Sequence, residues 1–417
     1  MEHETYPLGT DAPVGEILLA EVAIRVELPP SWHKRAVDRY EAVRKHIERI
    51  GSPLQNHVEL FYPQGSMAIG ATIRARKRDT GYDIDIVAEL NLPSDTPPET
   101  VLDMLFTAIN GPQGSRYHGQ VERQTRCVTV YYEDGMHLDV TPSILRSCGN
   151  PRESWIFHAP PYQHPEHHKR LIINSHAFAR WFKDCTPGDM VFAEAYNRRA
   201  IAYDKSIFLA DAEAEPVPEH PGPHGMKSAT VVALQLLKRH RNIRYLNRNG
   251  GRVPPSVFMS CCAGEAAIPG ASISQALMAI SNKMLQKLGS AQRSGQLVDV
   301  RNPECTQDKF TDRWPENLKQ QQIYIDDLEE FQKQLRKLLA DSSLEEQKAL
   351  LAVMFGEDPS SKAVASYAEQ LGRHISTGNS MVTGSGTVVA STNVGATPNV
   401  TKGTHPPRHT FYGGKYR

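Results

Sequence analysis

The chain has 417 residues, a mass of 46.5 kDa and equal numbers of basic and acidic side chains, 47 of each. A chain of this length has room for two or three domains and buries a large core without disulfide or metal crosslinks. A formal net charge of zero excludes a protein that binds nucleic acid through overall basic charge, but not one with a local basic groove.

Cysteine usage and hydropathy limit the compartment. Six cysteines in a chain of this length argue against a disulfide scaffold. The sequence contains no CxxC pair, so it gives no indication of a zinc site built from cysteines. The acidic N-terminus lacks the apolar stretch of a signal peptide, and no apolar run approaches the ~18 residues of a membrane span. We therefore expect a soluble cytoplasmic protein with reduced thiols and no membrane partner.

The N-terminal third predicts a helix followed by strands and hairpins. Apolar residues recur at helical spacing over residues 31–50, where Ser31 is a candidate N-cap and Gly51 a candidate stop. A short helix or turn is predicted over 66–74 and a helix over 97–110. Strands are predicted over residues 57–62, 82–90, 120–133 and 136–144, with a hairpin turn at 133–135.

From residue 165 onward the pattern is mostly helical. Helices are predicted over residues 167–185, 228–246, 255–266, 272–289, 324–341 and 343–356, and a Pro-rich acidic surface loop over 209–225. Residues 375–404 are rich in Ser, Thr, Gly and Val, a composition typical of a flexible linker. We therefore predict an α/β domain over 1–160, a helical domain over 161–374 and a flexible tail over 375–417.

Three aspartates carry the main chemical signal. Asp83 and Asp85 alternate with isoleucines along one predicted strand, and Asp139 is flanked by apolar residues on another. Because strand side chains alternate between faces, a sheet that buries the apolar residues turns all three carboxylates to the opposite face. Crowded carboxylates repel one another without a cation, and Mg²⁺ prefers oxygen ligands. Two such ions ~3.5–4 Å apart can clamp both oxygens of an in-line displacement.

A Gly-Ser turn precedes these strands. Gly65 lets the backbone approach a phosphate closely, and the Ser66 amide and hydroxyl can donate hydrogen bonds to its oxygens. A Gly-Ser pair alone is usually a turn, and a DxD alone is usually a solvated strand face. The order GS, DxD and then Asp on a hydrophobic strand is more specific and indicates metal-dependent chemistry at a phosphate.

Several segments resemble a known family. QGSMAIGATIR, YDIDIVAEL and HLDVTPS resemble the nucleotidyltransferase superfamily of the DNA polymerase β type. Within it, LQLLKRHRN, VPPSVFMSCCAGEA and RNPECTQDKFTDRWPE resemble the cGAS/DncV-like nucleotidyltransferases (CD-NTases) of bacterial CBASS anti-phage systems. The resemblance covers residues 30–345 and implies an α+β fold, in which a polymerase-β-like sheet domain meets a helical domain and the active site lies in the cleft between them.

The resemblance also implies an activity and its site residues. It implies synthesis of a cyclic di- or trinucleotide second messenger from NTPs, ATP among them, that a separate effector protein senses. Asp83 and Asp85 would bind two Mg²⁺ ions, or Mn²⁺, and Asp139 would bind one ion and help deprotonate the attacking ribose hydroxyl. The residues implied to bind the donor nucleotide are Gln64, Gly65, Ser66, Lys238 and Ser256.

The residue patterns alone leave simpler readings open. Without the resemblance, Lys238 is a residue on a solvated helix face and Ser256 is a helix N-cap. The His-rich segment 164–168 could hold a metal, but its spacing matches no zinc site. The basic run 74–78 is a solvated loop, although it is also placed to touch a triphosphate or an acceptor nucleotide.

Two other functions also stay open. One is a template-independent RNA-tailing or linear oligonucleotide synthase, which the zero net charge supports poorly. The other is a catalytically silent nucleotide-binding protein, against which the complete GS, DxD and D set argues. The basic and aromatic residues of 405–417 predict a tethered recognition segment, and the resemblance implies that an operon-encoded regulator could bind it. No stable nucleic-acid partner is expected.

Overall fold

Two hydrophobic cores organise the chain, one around a sheet and one among helices. The computed structural model describes residues 12–74, 82–147, 150–210, 227–246, 248, 251–340, 342–376, 380–382 and 388–390. The fold of these parts is α+β, which confirms the predicted class.

One mixed sheet carries the residues of interest. Its strands are β1 (Val58–Pro63), β2 (Asp83–Leu90), β3 (Val121–Arg123), β4 (Val128–Tyr131), β5 (His137–Leu145), β6 (Ser154–His158) and β7 (Lys169–Ile173). They follow the order β1-β2-β5-β4-β3, and β6 pairs with both β5 and β7. β2 and β5 run parallel, and the other neighbouring strands of this sheet run antiparallel.

Helices form most of the remaining structure. They are α1 (Val14–Val26), α2 (Pro30–Ile47), α3 (Gly65–Ala68), α4 (Pro98–Asn110), α5 (Ser175–Cys185), α6 (Met190–Ala210), α7 (Ala229–Tyr245), α8 (Ser256–Glu265), α9 (Ile273–Arg293), α10 (Leu318–Leu339), α11 (Leu344–Phe355) and α12 (Glu357–Ser376). Two short hairpins are also present, β8 (Arg301–Asn302) with β9 (Cys305–Lys309) and β10 (Ser380–Val382) with β11 (Val388–Ala390). α2 and α4 share the core of the sheet, whereas α1 and α5 to α12 contribute to the helical core.

The apolar and acidic residues of β2 and β5 separate onto opposite faces, as the sequence predicts. The aliphatic residues at alternate positions are almost completely buried in the sheet core: Ile84, Ile86, Leu138 and Val140. Because side chains alternate along a strand, Asp83, Asp85 and Asp139 lie on the other face. This face looks towards the helical core, so the acidic residues lie between the two cores.

The first helix does not belong to the core of the sheet. Leu18, Leu19 and Val22 of α1 have no exposed surface and pack in the helical core, although residues 1–160 are assigned to the α/β domain by sequence. A helix with apolar residues on every side must be enclosed on every side, and only the surrounding helices provide that. The division into domains stays a prediction, with α1 as an exception to it.

Residues 167–185, predicted as one helix, divide into a strand and a helix. Lys169–Ile173 pairs with β6 and extends the sheet, because its apolar residues can join an open strand edge. Asn174 then ends the strand and caps α5, since its Oδ1 accepts a hydrogen bond from the backbone N of Ala177 at 3.0 Å. The predicted helix was therefore wrong for its first third.

Other boundaries also differ from the predictions. α2 begins at Pro30 without a side-chain cap, so Ser31 is not its N-cap, and it ends before Gly51 is reached. The strand predicted over 120–133 consists of β3 and β4, which are separated by residues 124–127.

The C-terminal part is more regular than predicted. The sequence does not predict α12, because its buried apolar residues are short and few. The hairpin of β10 and β11 lies within 375–404, so the linker prediction is wrong for those strands. Residues 211–225 of the predicted loop and the segment 405–417 lie outside the described residues. Among the residues that are described, no helix is long and apolar enough to cross a membrane.

Candidate active site

The three predicted aspartates meet in one cleft. The parallel register of β2 and β5 places Asp85 opposite Asp139 and Asp83 opposite His137. All three carboxylates line a cleft of about 680 Å³. Its other walls come from α3, α5, α7, α8 and β9, so the cleft lies between the sheet and the helices, where the resemblance placed it.

The negative charges of Asp85 and Asp139 are poorly compensated. Burial, helped by the charges of Asp139 and Asp83, raises the pKa of Asp85 to about 7, while Lys238 opposes that shift. Burial also raises the pKa of Asp139, although Thr129 Oγ1 donates a hydrogen bond to its Oδ1 at 2.5 Å. Such raised pKa values identify a site that a cation would stabilise.

The donor set fits a hard divalent cation. Carboxylate oxygens are the ligands that such ions prefer. Among the described residues, no three His, Cys, Asp or Glu side chains are arranged to hold a metal ion by themselves. A cation bound at these aspartates would therefore complete its coordination with water or with oxygens of a ligand.

The Gly-Ser turn lies directly against the carboxylates. Gly65 begins the single turn of α3 with a φ of +56°, and a Cβ atom there would lie 2.8 Å from Asp85 Oδ2. Both the backbone conformation and the contact therefore require glycine. The backbone N of Gln64 donates to Asp85 O at 2.8 Å, and Thr72 Oγ1 is 3.4 Å from Ser66 Oγ. Gly65 and Ser66 both line the cleft.

Lys238 is a buried cation and not part of a solvated helix face. It is 4% exposed, it lines the cleft from α7, and its Nζ donates to Ala71 O at 2.7 Å. Burial, together with Arg241, lowers the pKa of Lys238 to about 7, and the charges of Asp85 and Asp83 oppose that shift. A bound anion would stabilise the charged form, which fits the predicted contact with a triphosphate.

Ser256 lines the same cleft but does not cap α8. It is the first residue of that helix, and Pro255 occupies the N-cap position. Its Oγ accepts a hydrogen bond from Arg241 Nη1 at 2.9 Å, and the same nitrogen donates to Pro254 O at 2.8 Å. Arg241 therefore joins α7 to the start of α8 and holds the Ser256 hydroxyl at the cleft wall.

The sequence analysis did not identify which residues form the helical wall of the cleft. Phe178 of α5 and Phe310 meet edge to face with ring centroids 4.9 Å apart. Asp308 is buried beside them, and burial raises its pKa to about 6. Its Oδ2 accepts hydrogen bonds from Asn302 Nδ2 at 3.0 Å and from the backbone N of Asn174 at 3.3 Å. Asp308 and Phe310 belong to the segment RNPECTQDKFTDRWPE, which carries part of the family resemblance. Only the folded chain shows which of its side chains face the cleft.

Two other candidate groups have different outcomes. Arg74 lines the cleft and donates to the hydroxyls of Tyr82 and Tyr203 at 3.2 and 3.3 Å, so it is not part of a solvated loop. Residues 75–78 of the basic run lie outside the described residues. The His-rich segment 164–168 forms a largely exposed 3₁₀ turn and does not line the cleft.

Known proteins are similar to this chain in both sequence and fold. Residues 19–158 match the family model of the Second Messenger Oligonucleotide or Dinucleotide Synthetase (SMODS) domain. The cyclic dinucleotide synthase CdnG of Bradyrhizobium diazoefficiens is 43% identical over 361 residues, which cover 86% of this chain and 85% of CdnG. A c-di-GMP synthase of Roseivirga ehrenbergii is 25% identical over 406 residues, which cover 95% of this chain and 97% of the relative.

Solved structures agree with these relatives. CdnG of Bradyrhizobium diazoefficiens in complex with GTP superposes with a TM-score of 0.73 at 42% identity, covering 84% of this chain and 97% of CdnG. CdnC of E. coli MS115-1, in a complex with HORMA-deltaN, has a TM-score of 0.53 at 15% identity over 79% of this chain and 93% of CdnC, and it supports the fold alone. The chain therefore belongs to the SMODS-domain CD-NTases and is a nucleotidyltransferase with the polymerase-β-like fold.

Proposed function

We propose that the chain makes a cyclic dinucleotide second messenger from NTPs, with GTP as a substrate. The observation that carries this proposal is the meeting of three carboxylates, the Gly65-Ser66 turn and buried Lys238 in one cleft. The product class comes from the names of the two relatives, and GTP comes from the CdnG complex. ATP, which the sequence resemblance implied, is the alternative substrate, and a cyclic trinucleotide is the alternative product.

The proposed roles follow from the geometry of the cleft. Asp83, Asp85 and Asp139 would hold two Mg²⁺ ions, or Mn²⁺, which neutralise phosphate charge and polarise the reacting oxygens. Asp139 would also accept the proton of the attacking ribose hydroxyl. The Ser66 amide and hydroxyl would donate hydrogen bonds to the triphosphate. The positive charge of the Lys238 ammonium would stabilise the negative charge that develops on the leaving phosphates.

The biological setting is part of the same proposal. The product would activate a separate effector protein in CBASS anti-phage defence, inside the cytoplasm. A regulator encoded nearby would recognise the tail. These statements rest on family membership.

A product assay tests the chemical proposal. Purified protein is incubated with the four labelled NTPs and Mg²⁺, the mixture is treated with phosphatase, and resistant products are identified by mass spectrometry. A cyclic dinucleotide that contains guanine is expected, and EDTA should abolish it. A ladder on added RNA would indicate a tailing enzyme, and no product in any condition would indicate a silent nucleotide-binding protein.

A further inference from the structure

Gln64 directly precedes the Gly-Ser turn, and its side chain already has protein partners at both ends. Its Nε2 donates to Thr141 Oγ1 at 3.2 Å, and its Oε1 accepts a hydrogen bond from Ser175 Oγ at 2.9 Å. A contact with the triphosphate is therefore not needed to explain why glutamine lies at this position. One Nε2 hydrogen is left over, so the two roles must be separated by experiment.

The two partners of Gln64 belong to different parts of the fold. Thr141 follows Asp139 by two residues on β5, so both side chains lie on the same face of the sheet. The backbone N of Gln64 donates to Asp85 O on β2 at 2.8 Å. One residue thus connects the phosphate-binding turn to both strands that carry the carboxylates.

The third connection reaches the helical wall. Ser175 is the first residue of α5, and Asn174 before it is held by the β8–β9 hairpin. Asn302 Nδ2 donates to Asn174 O at 3.1 Å, and the backbone N of Asn174 donates to Asp308 Oδ2 at 3.3 Å. The residue before Ser175 is therefore held to the hairpin through both its backbone N and its backbone O. This anchors the Ser175 hydroxyl, which can in turn hold Gln64 in place.

We propose that Gln64 is a positioning residue, which fixes the Gly65-Ser66 turn relative to the carboxylates through Ser175 and Thr141. Ground-state binding of a flexible triphosphate tolerates a small displacement of the turn. The transition state requires the phosphate and the carboxylates to be aligned, so a loosened turn lowers kcat more than it raises KM. This inference uses the proposed function only for its turnover assay.

A double-mutant cycle tests the proposal. We compare Gln64→Ala, Ser175→Ala, Thr141→Val and the double variant Gln64→Ala/Ser175→Ala, each with its melting temperature. Ser175→Ala should lower kcat roughly three- to tenfold, the size of one neutral hydrogen bond, and the double variant should lose no more than Gln64→Ala alone. Ser294→Ala, which removes an exposed hydroxyl at the end of α9, is the matched control and should not change kcat.

Two results would overturn the proposal. One is a large loss for Gln64→Ala with no loss for Ser175→Ala or Thr141→Val. The other is a steep loss of GTP affinity in Gln64→Ala, measured by calorimetry without turnover, because that would indicate direct contact with the phosphates. GTP affinity within about twofold of the unsubstituted chain supports positioning, since a displaced turn still offers its donors to a flexible ligand. This second readout applies even if the chain forms no product.

Discussion

At the level of single residues, Asp85 and Lys238 place opposite charges in one cleft where neither is well solvated. The pKa of the aspartate is raised to about 7 and that of the lysine is lowered to about 7, mainly by burial in both cases. Each residue would be stabilised by a ligand of opposite charge. A triphosphate with its cations supplies both kinds of charge at once, which is the physical argument for the proposed substrate.

Replacing a carboxylate should separate activity from stability. Asp85→Asn, like Asp83→Asn, should reduce product formation to below a few per cent, because it removes ligand charge without changing volume. The Asp85→Asn chain should melt at the same or a higher temperature, since burial and like charges disfavour the ionised carboxylate. Asp38→Asn on the exposed face of α2 is the control. Substantial activity in Asp85→Asn would contradict the metal-binding assignment.

Removing the buried lysine should weaken nucleotide binding and turnover together. Lys238→Ala should lower kcat/KM for NTPs strongly, because the ammonium would stabilise phosphate charge in both the ground state and the transition state. Steady-state kinetics with Lys319→Ala, an exposed residue of α10, as the control checks this expectation. An unchanged kcat/KM would restrict Lys238 to its structural bond with Ala71 O.

A histidine of α7 should make the fold acid-sensitive. Burial lowers the pKa of His240 to about 4; its Nδ1 is 3.1 Å from Met354 O, and the charged side chains Arg244 and Asp327 lie nearby. The folded-state pKa lies below the unfolded value of 6.5, so this stabilisation is present above pH 6.5 and is lost as the pH falls towards 4. At pH 4 the loss should reach about 3 kcal/mol.

The substitution His240→Gln isolates that contribution. Glutamine keeps a hydrogen-bond donor but does not titrate, so the free energy of unfolding should depend less on pH between 6.5 and 4. Urea unfolding of both proteins at a series of pH values is the measurement. Parallel pH profiles for the two proteins would show that another group controls the acid limb.

At the level of elements, α1 also caps another helix. Glu16 accepts hydrogen bonds at the N-terminus of α9 from the backbone N of Ile273 at 3.0 Å, the backbone N of Ser274 at 3.1 Å and the hydroxyl of Ser272 at 2.9 Å. A carboxylate at a helix N-terminus accepts hydrogen bonds from the unpaired backbone N–H groups there. Its negative charge also interacts favourably with the positive end of the helix dipole. This contact explains why an acidic residue is tolerated in a buried helix.

Loss of this cap should destabilise the helical core. Glu16→Ala should lower the free energy of unfolding by about 2 kcal/mol, the upper range for a cap, because the donors are left buried. Thermal and urea unfolding compare it with Glu329→Ala, an exposed position on α10. Equal stability of the Glu16 variant and the unsubstituted chain would mean that water replaces the carboxylate at this helix end.

At the level of the whole molecule, the cleft exists because two cores meet along one face of the sheet. The carboxylates come from the sheet, Lys238 and Ser256 come from the helical part, and α3 lies between them. Ser175 connects the helical part to Gln64, and Arg126 Nη2 contacts Asp312 Oδ2 at 2.5 Å across the cleft. The proposed catalysis would therefore depend on how the two parts are held together.

The tail should act outside this catalytic unit. Deleting residues 405–417 should leave synthesis by the purified enzyme unchanged, because the cleft lining, as far as the structure describes it, is formed by residues 64–312. The same deletion should reduce binding of a regulatory partner and protection of cells against phage. The product assay and a plaque assay measure the two effects. Reduced activity of the purified enzyme would instead indicate that the tail packs on the catalytic unit.

The sequence alone was sufficient for features that depend on neighbours along the chain. The shared face of Asp83, Asp85 and Asp139 follows from alternation with aliphatic residues, and the hairpin before β5 follows from local turn composition. The family could also be recognised, because the residues that carry the resemblance lie in short contiguous segments. Because these features depend only on nearby residues, their prediction does not depend on predicting the distant elements correctly.

Tertiary structure decided everything that depends on segments far apart in the chain. The same LLKRHR segment can form a solvated or a buried helix. Only the folded chain, in which α7 packs against α1, α8, α9 and α11 and Lys238 Nζ donates to Ala71 O, shows that Lys238 is buried. Likewise, no local pattern shows that Gln64 meets Ser175, 111 residues later, or that Glu16 caps a helix more than 250 residues away. Burial and hydrogen-bond partners are properties of the packed chain, because they depend on which distant surfaces exclude water from a side chain.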